Sequence, residues 1–63
     1  MNLEEEAFRA TELLKGKTIK EILRNREGEV FIKFTDGTRF FINKKADGLD
    51  LSITNGPKTQ EIE

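Results

Sequence analysis

At 63 residues the chain is one domain, in the size range where a single hydrophobic core is barely sufficient. It has no cysteine and no histidine, which excludes disulfides and argues against a structural zinc site, so oligomerisation is the expected source of added stability. The net charge of -1 is unevenly spread: residues 1–14 carry -3, residues 15–45 carry +5 and residues 46–63 carry -3.

Asn2 followed by Glu5 resembles a capping box, the acidic first turn suits the helix dipole, and Gly16 sits where helices commonly end. The sequence predicts a helix from about Leu3 to Lys15, with Leu3, Ala7, Ala10 and Leu14 as its apolar stripe and Phe8 at the edge of the core. Lys17 to Arg24 combines β-branched residues with a following turn-like Asn25-Arg26-Glu27-Gly28, and is read as a first strand. A loop of two or four residues there sets Leu23 opposite Val30 and Ile19 opposite Phe34, and leaves Ile22 beside Phe31. That register turns Glu21 toward the helix side, near Ile32.

Glu29 to Asn43 is the strongest signal in the chain, two alternating runs about Thr35-Asp36-Gly37. A two-residue turn would oppose Phe34 to Arg39. A three-residue loop with Gly37 in the left-handed conformation instead opposes Ile32 to Phe40 and Val30 to Ile42. Because a one-residue slip exchanges the faces, burial selects the second register. After the turn Lys44 to Gly48, Leu49, Leu51 and Ile53 alternate with polar residues as an edge strand. Residues 55–63 contain little apolar surface and are expected to form a flexible tail after a single domain over residues 1–54.

These pieces predict an α+β fold, one N-terminal helix on a four-stranded antiparallel β-meander. The runs GKTIKEI, FTDGTRFFI and LDLSI resemble small bacterial proteins of unknown function that pair a short N-terminal helix with an FxDGT-containing sheet. The resemblance spans Leu13 to Thr54 and implies the same fold. It carries no activity and no binding residues.

Enzymatic activity is not expected, since the absence of His, Cys, Tyr and Trp removes the common nucleophile and base pairs. Gly16-Lys17-Thr18 echoes the end of a phosphate-binding loop but lacks the glycine five residues earlier and follows a helix. No cofactor or metal ion is implied. The functional expectation rests on the solvent face of the sheet, where Ile22, Phe31 and Phe41 form an apolar row beside Lys20, Lys33 and Arg39. The first reading is a non-enzymatic interaction module that self-associates there or takes a small protein partner. The alternative is weak single-stranded nucleic-acid binding by the same basic and aromatic surface. No apolar run approaches a membrane span and the opening MNLEEEAF is too acidic for a signal peptide, so a cytoplasmic protein is expected.

Overall fold

The structure, a computed structural model, describes residues 2–55 and 58–62, of the latter stretch the backbone and the Ile62 side chain. Its elements are α1 (Leu3–Leu14), β1 (Ile19–Leu23), β2 (Glu29–Phe34), β3 (Arg39–Lys45), β4 (Gly48–Asn55) and β5 (Lys58–Ile62). The strands form one antiparallel sheet in the order β1-β2-β3-β4-β5. The helix and the β1-to-β4 meander are the α+β arrangement that the sequence predicts.

Asn2 caps the helix as its side chain requires, with Oδ1 accepting from the Glu5 N–H at 2.8 Å. At the other end Lys15 is extended and Gly16 takes a φ of +80°, so the chain turns away after Leu14. The face half-buried against the sheet is Glu6, Ala10, Leu13 and Leu14, a stripe turned about 50° from the expected one at 100° per residue. Leu3 and Ala7 are exposed. Phe8, expected at the edge of the core, points outward and is 65% exposed among Glu4, Glu5 and Arg9.

The β2–β3 hairpin has the three-residue loop, with Gly37 at φ +92° and Phe34 N–H donating to the Thr38 carbonyl at 2.9 Å. Val30 opposes Ile42, Phe31 opposes Phe41 and Ile32 opposes Phe40; β4 continues the rows with Leu51, Ser52 and Ile53. Pairing therefore gathers Val30, Ile32, Phe34, Phe40, Ile42, Leu51, Ile53 and Ile62 on one face. The buried apolar residues, Phe34, Ile53 and Ile62, all belong to it. The rest of that row is half-buried, because a 12-residue helix is only ~18 Å long and cannot roof five strands.

Two further expectations are corrected. Residues 55–63 do not form a flexible tail throughout, since Lys58–Ile62 pairs along β4 and sets Ile62, fully buried, opposite Leu51. β5 is also the strand whose backbone comes nearest to α1. The second correction concerns β1. Ile19 opposes Phe34 as expected, but a β-bulge follows and the next pairs are Glu21 with Lys33, Ile22 with Ile32 and Leu23 with Phe31. Regular alternation would have aimed a carboxylate at the apolar face, where an unpaired charge costs several kcal/mol. The bulge instead sets Glu21 beside Lys33 at 3.7 Å and turns Ile22 inward.

Candidate functional site: the outer sheet face

The face opposite the core carries three rows running across the strands. At the β2–β3 loop end lie Lys20 and Glu21 together in the bulge, then Lys33, Arg39 and Thr54. The middle row is Leu23, Phe31, Phe41 and Ser52. At the far end are Glu29, Asn43 and Asp50. Of the six residues expected to build this surface, Lys20, Lys33, Arg39, Phe31 and Phe41 share it. Ile22 does not: the bulge places it on the core face, at the sheet edge remote from β5, where it remains 57% exposed. Leu23 takes its place beside Phe31. Glu21 is the other residue that strict alternation missed; its signal was the carboxylate misplaced among apolar inward positions.

Phe31 and Phe41 are direct cross-strand neighbours, close enough for their rings to meet. They stack with centroids 4.5 Å apart and planes inclined by 15°. Lys33 Nζ lies 5.9 Å from the Phe31 centroid and so caps that ring as a cation. Both aromatic rings and Leu23 remain only half-buried. They form an apolar strip across the middle of a polar face.

The row at the loop end is basic, with Glu21 as its only acidic member. Lys20, Lys33 and Arg39, with Thr35 and Thr38, line a shallow depression of about 160 Å³. Lys33 is shared between Glu21 and Phe31, whereas Lys20 and Arg39 form no ion pair or side-chain hydrogen bond with a described residue. The opposite row is acidic. Glu29 is almost covered and pairs with Arg26 at 2.9 Å, while Asp50 is half-buried with no such partner among the described residues. Arg24, just past the end of β1, turns back to the loop: Nε donates to the Glu29 carbonyl and Nη2 to the Glu27 carbonyl, both at 2.7 Å.

The loop end is clamped from beneath. Lys17 Nζ contacts Asp36 Oδ2 at 2.6 Å, tying the α1–β1 connection to the hairpin, and the Thr38 N–H donates to Asp36 Oδ1 at 2.9 Å. These donors, Lys17 foremost, hold the Asp36 carboxyl well below the usual carboxylate range. Asp36 is thereby a structural anion of the turn. Among the described residues no three His, Cys, Asp or Glu side chains gather as metal ligands, and no helix is long and apolar enough to cross a membrane.

In comparison with known proteins, no family model, no curated protein and no solved structure matches this chain.

Proposed function

We propose that the protein is a non-enzymatic interaction module that self-associates through its outer sheet face, with Leu23, Phe31 and Phe41 at the centre and Lys33 and Arg39 at the rim. The observation that carries this reading is the half-exposed Phe31–Phe41 stack, continued by Leu23, on a sheet face that would ordinarily be polar. The surface area supports it. The chain exposes 4670 Å², roughly 500 Å² more than the ~4,100 Å² that scaling gives for a monomer of its mass. The middle and flanking rows offer a footprint of about 20 by 19 Å, at strand spacings of ~4.8 Å and residue rises of ~3.3 Å. Such a contact belongs to the small, weak class of interfaces. The absence of cysteine is in keeping with a cytoplasmic setting.

Sedimentation across a concentration series tests the reading directly. Self-association that Leu23→Lys abolishes while the fold survives supports it; a chain that stays monomeric up to about 1 mM, the weak limit of specific affinity, overturns it. The second reading, single-stranded nucleic-acid binding, draws on the basic depression beside the aromatic row. Against it, one face of the Phe31 ring is occupied by Phe41 and Lys33 also approaches that ring, so a base would have to displace a neighbour. Titration with mixed oligonucleotides at low salt that moves amide resonances of Lys20, Lys33 and Arg39 would favour this second reading.

A further inference from the structure

Resting on that self-association, we infer that the two copies pack with their two-fold axis along the Leu23–Phe31–Phe41 row, so that the basic row of each lies over the acidic row of its partner. A symmetric face-to-face dimer has its axis in the plane between the two sheets, and the three rows offer two simple directions for it.

An axis parallel to the strands lays each row over itself. Lys33 and Arg39 would then face the partner's Lys33 and the partner's Arg39, and with the axis between β2 and β3 Leu23 would meet the partner's Ser52. Like charges are opposed and apolar area is spent on a hydroxyl.

An axis along the middle row does the reverse. Leu23, Phe31 and Phe41 each meet their own equivalents, and the loop-end row crosses to the far-end row. Lys33 then lies over the partner's Glu29, and Arg39, over the partner's Asn43, reaches one strand across to the partner's Asp50, twice by symmetry. The two side chains together span the ~10 Å between stacked sheets. Arg39 and Asp50, together with Lys20 at the β1 edge, are also the charges of this face left without an ion pair among the described residues, whereas Glu21, Glu29 and Lys33 already have one. Complementary charge thus selects one axis where the apolar strip alone would allow both.

Charge reversal decides it. With Arg39→Glu and Asp50→Lys measured by sedimentation equilibrium, each variant alone is expected to self-associate about tenfold more weakly than the parent chain. An equimolar mixture of the two is expected to recover affinity to within about threefold, because both contacts of the mixed dimer then join opposite charges. The inference is overturned, with self-association intact, if Asp50→Lys leaves the affinity unchanged or if Arg39→Glu binds the parent chain more tightly than the parent binds itself. That second result is the signature of the axis along the strands. A parent chain that is monomeric overturns both the inference and the reading it rests on. Should a reversal unfold the chain, Arg39→Gln and Asp50→Asn take its place: each is expected to weaken the dimer about threefold and flatten its salt dependence, and an unchanged salt dependence overturns the inference.

Discussion

The bulge in β1 makes deletion of Lys20 a sharp test of the register. In an ordinary strand, removing one residue exchanges the faces of everything beyond it. Here Ile19 and Glu21 flank the extra residue, and their partners Phe34 and Lys33 are already consecutive on β2. Without Lys20 the ladder closes as a regular strand, with Ile22 still opposite Ile32 and Leu23 still opposite Phe31. The Lys20 side chain has no hydrogen-bond or ion-pair partner among the described residues, so the deletion is expected to change stability by no more than about 1 kcal/mol. Under regular alternation without a bulge, the same deletion would turn Ile22 and Leu23 to the wrong faces and strand the two Arg24 hydrogen bonds. At about 1.5–3 kcal/mol for a fully buried apolar side chain, halved for partial burial, plus about 1 kcal/mol per hydrogen bond, that loss exceeds about 3 kcal/mol. Urea unfolding separates the cases, since a small domain has a slope near ~1 kcal/mol/M and the midpoint moves by about 1 M or by about 3 M. An unfolded or barely folded deletion variant would refute the bulged register. Deletion of Glu21 also closes the ladder but removes the Lys33 partner, so it should behave similarly.

Ile62→Ala removes a side chain with no exposed surface and is expected to cost about 2–4 kcal/mol, a large share of the stability of a domain this size. Faster amide exchange along β4 in that variant would show β5 peeling away, and an unfolding free energy within about 0.5 kcal/mol of the parent's, the usual surface effect, would remove β5 from the fold. Asp36→Asn keeps an acceptor for the Thr38 N–H but loses the charge facing Lys17. Since the folded carboxyl titrates below the unfolded value of about 3.9, its contribution is present above that pH and fades as pH falls further. Parent and variant should therefore differ at neutral pH and converge in acid below about pH 4. A gap in urea midpoint that does not change with pH would count against the Lys17–Asp36 clamp.

The β2–β3 hairpin and its extension to β4 were legible because independent constraints agree there. Gly37 demands a loop of one geometry, and only that loop gathers Phe34, Phe40 and Ile42 on one face. β1 was half legible. Its alternation carries a conflict at Glu21, and the conflict is what the bulge resolves, but no residue type marks where a bulge will fall. Ile22 was assigned to the outer face for that reason. β5 was hidden because a strand whose apolar content is Ile62 leaves no periodic signal, and backbone pairing with β4 is sequence-blind. The helix existed where its cap and Gly16 set it. Its facing was not legible, because Leu3, Ala7, Ala10, Leu13 and Leu14 give an apolar arc wide enough to seat in two ways, and contact with the sheet chose the side of Leu13. The candidate site followed the same division: every residue on β2 and β3 was legible, and the error came from β1.

The incomplete roof over the core and the apolar strip on the outer face bear on one quantity, the coupling of folding to association. The helix buries none of its residues fully, and most of the apolar row on the core face stays partly wet, so the isolated chain sits low in the stability range of small domains. If association through Leu23, Phe31 and Phe41 supplies the remainder, stability must depend on chain concentration by mass action. Above the dissociation constant, each tenfold rise in concentration adds about 1.4 kcal/mol per dimer, or about 0.7 kcal/mol per chain. With an unfolding entropy near 2.1 cal/mol/K per residue, a 63-residue chain should then gain about 5 °C in Tm per decade. Leu23→Lys should flatten that slope while leaving the low-concentration Tm close to the parent's, because Leu23 faces away from the core. Calorimetry over two decades spanning the dissociation constant that finds one unchanging Tm would mean that the chain does not melt from a folded dimer, against the coupling.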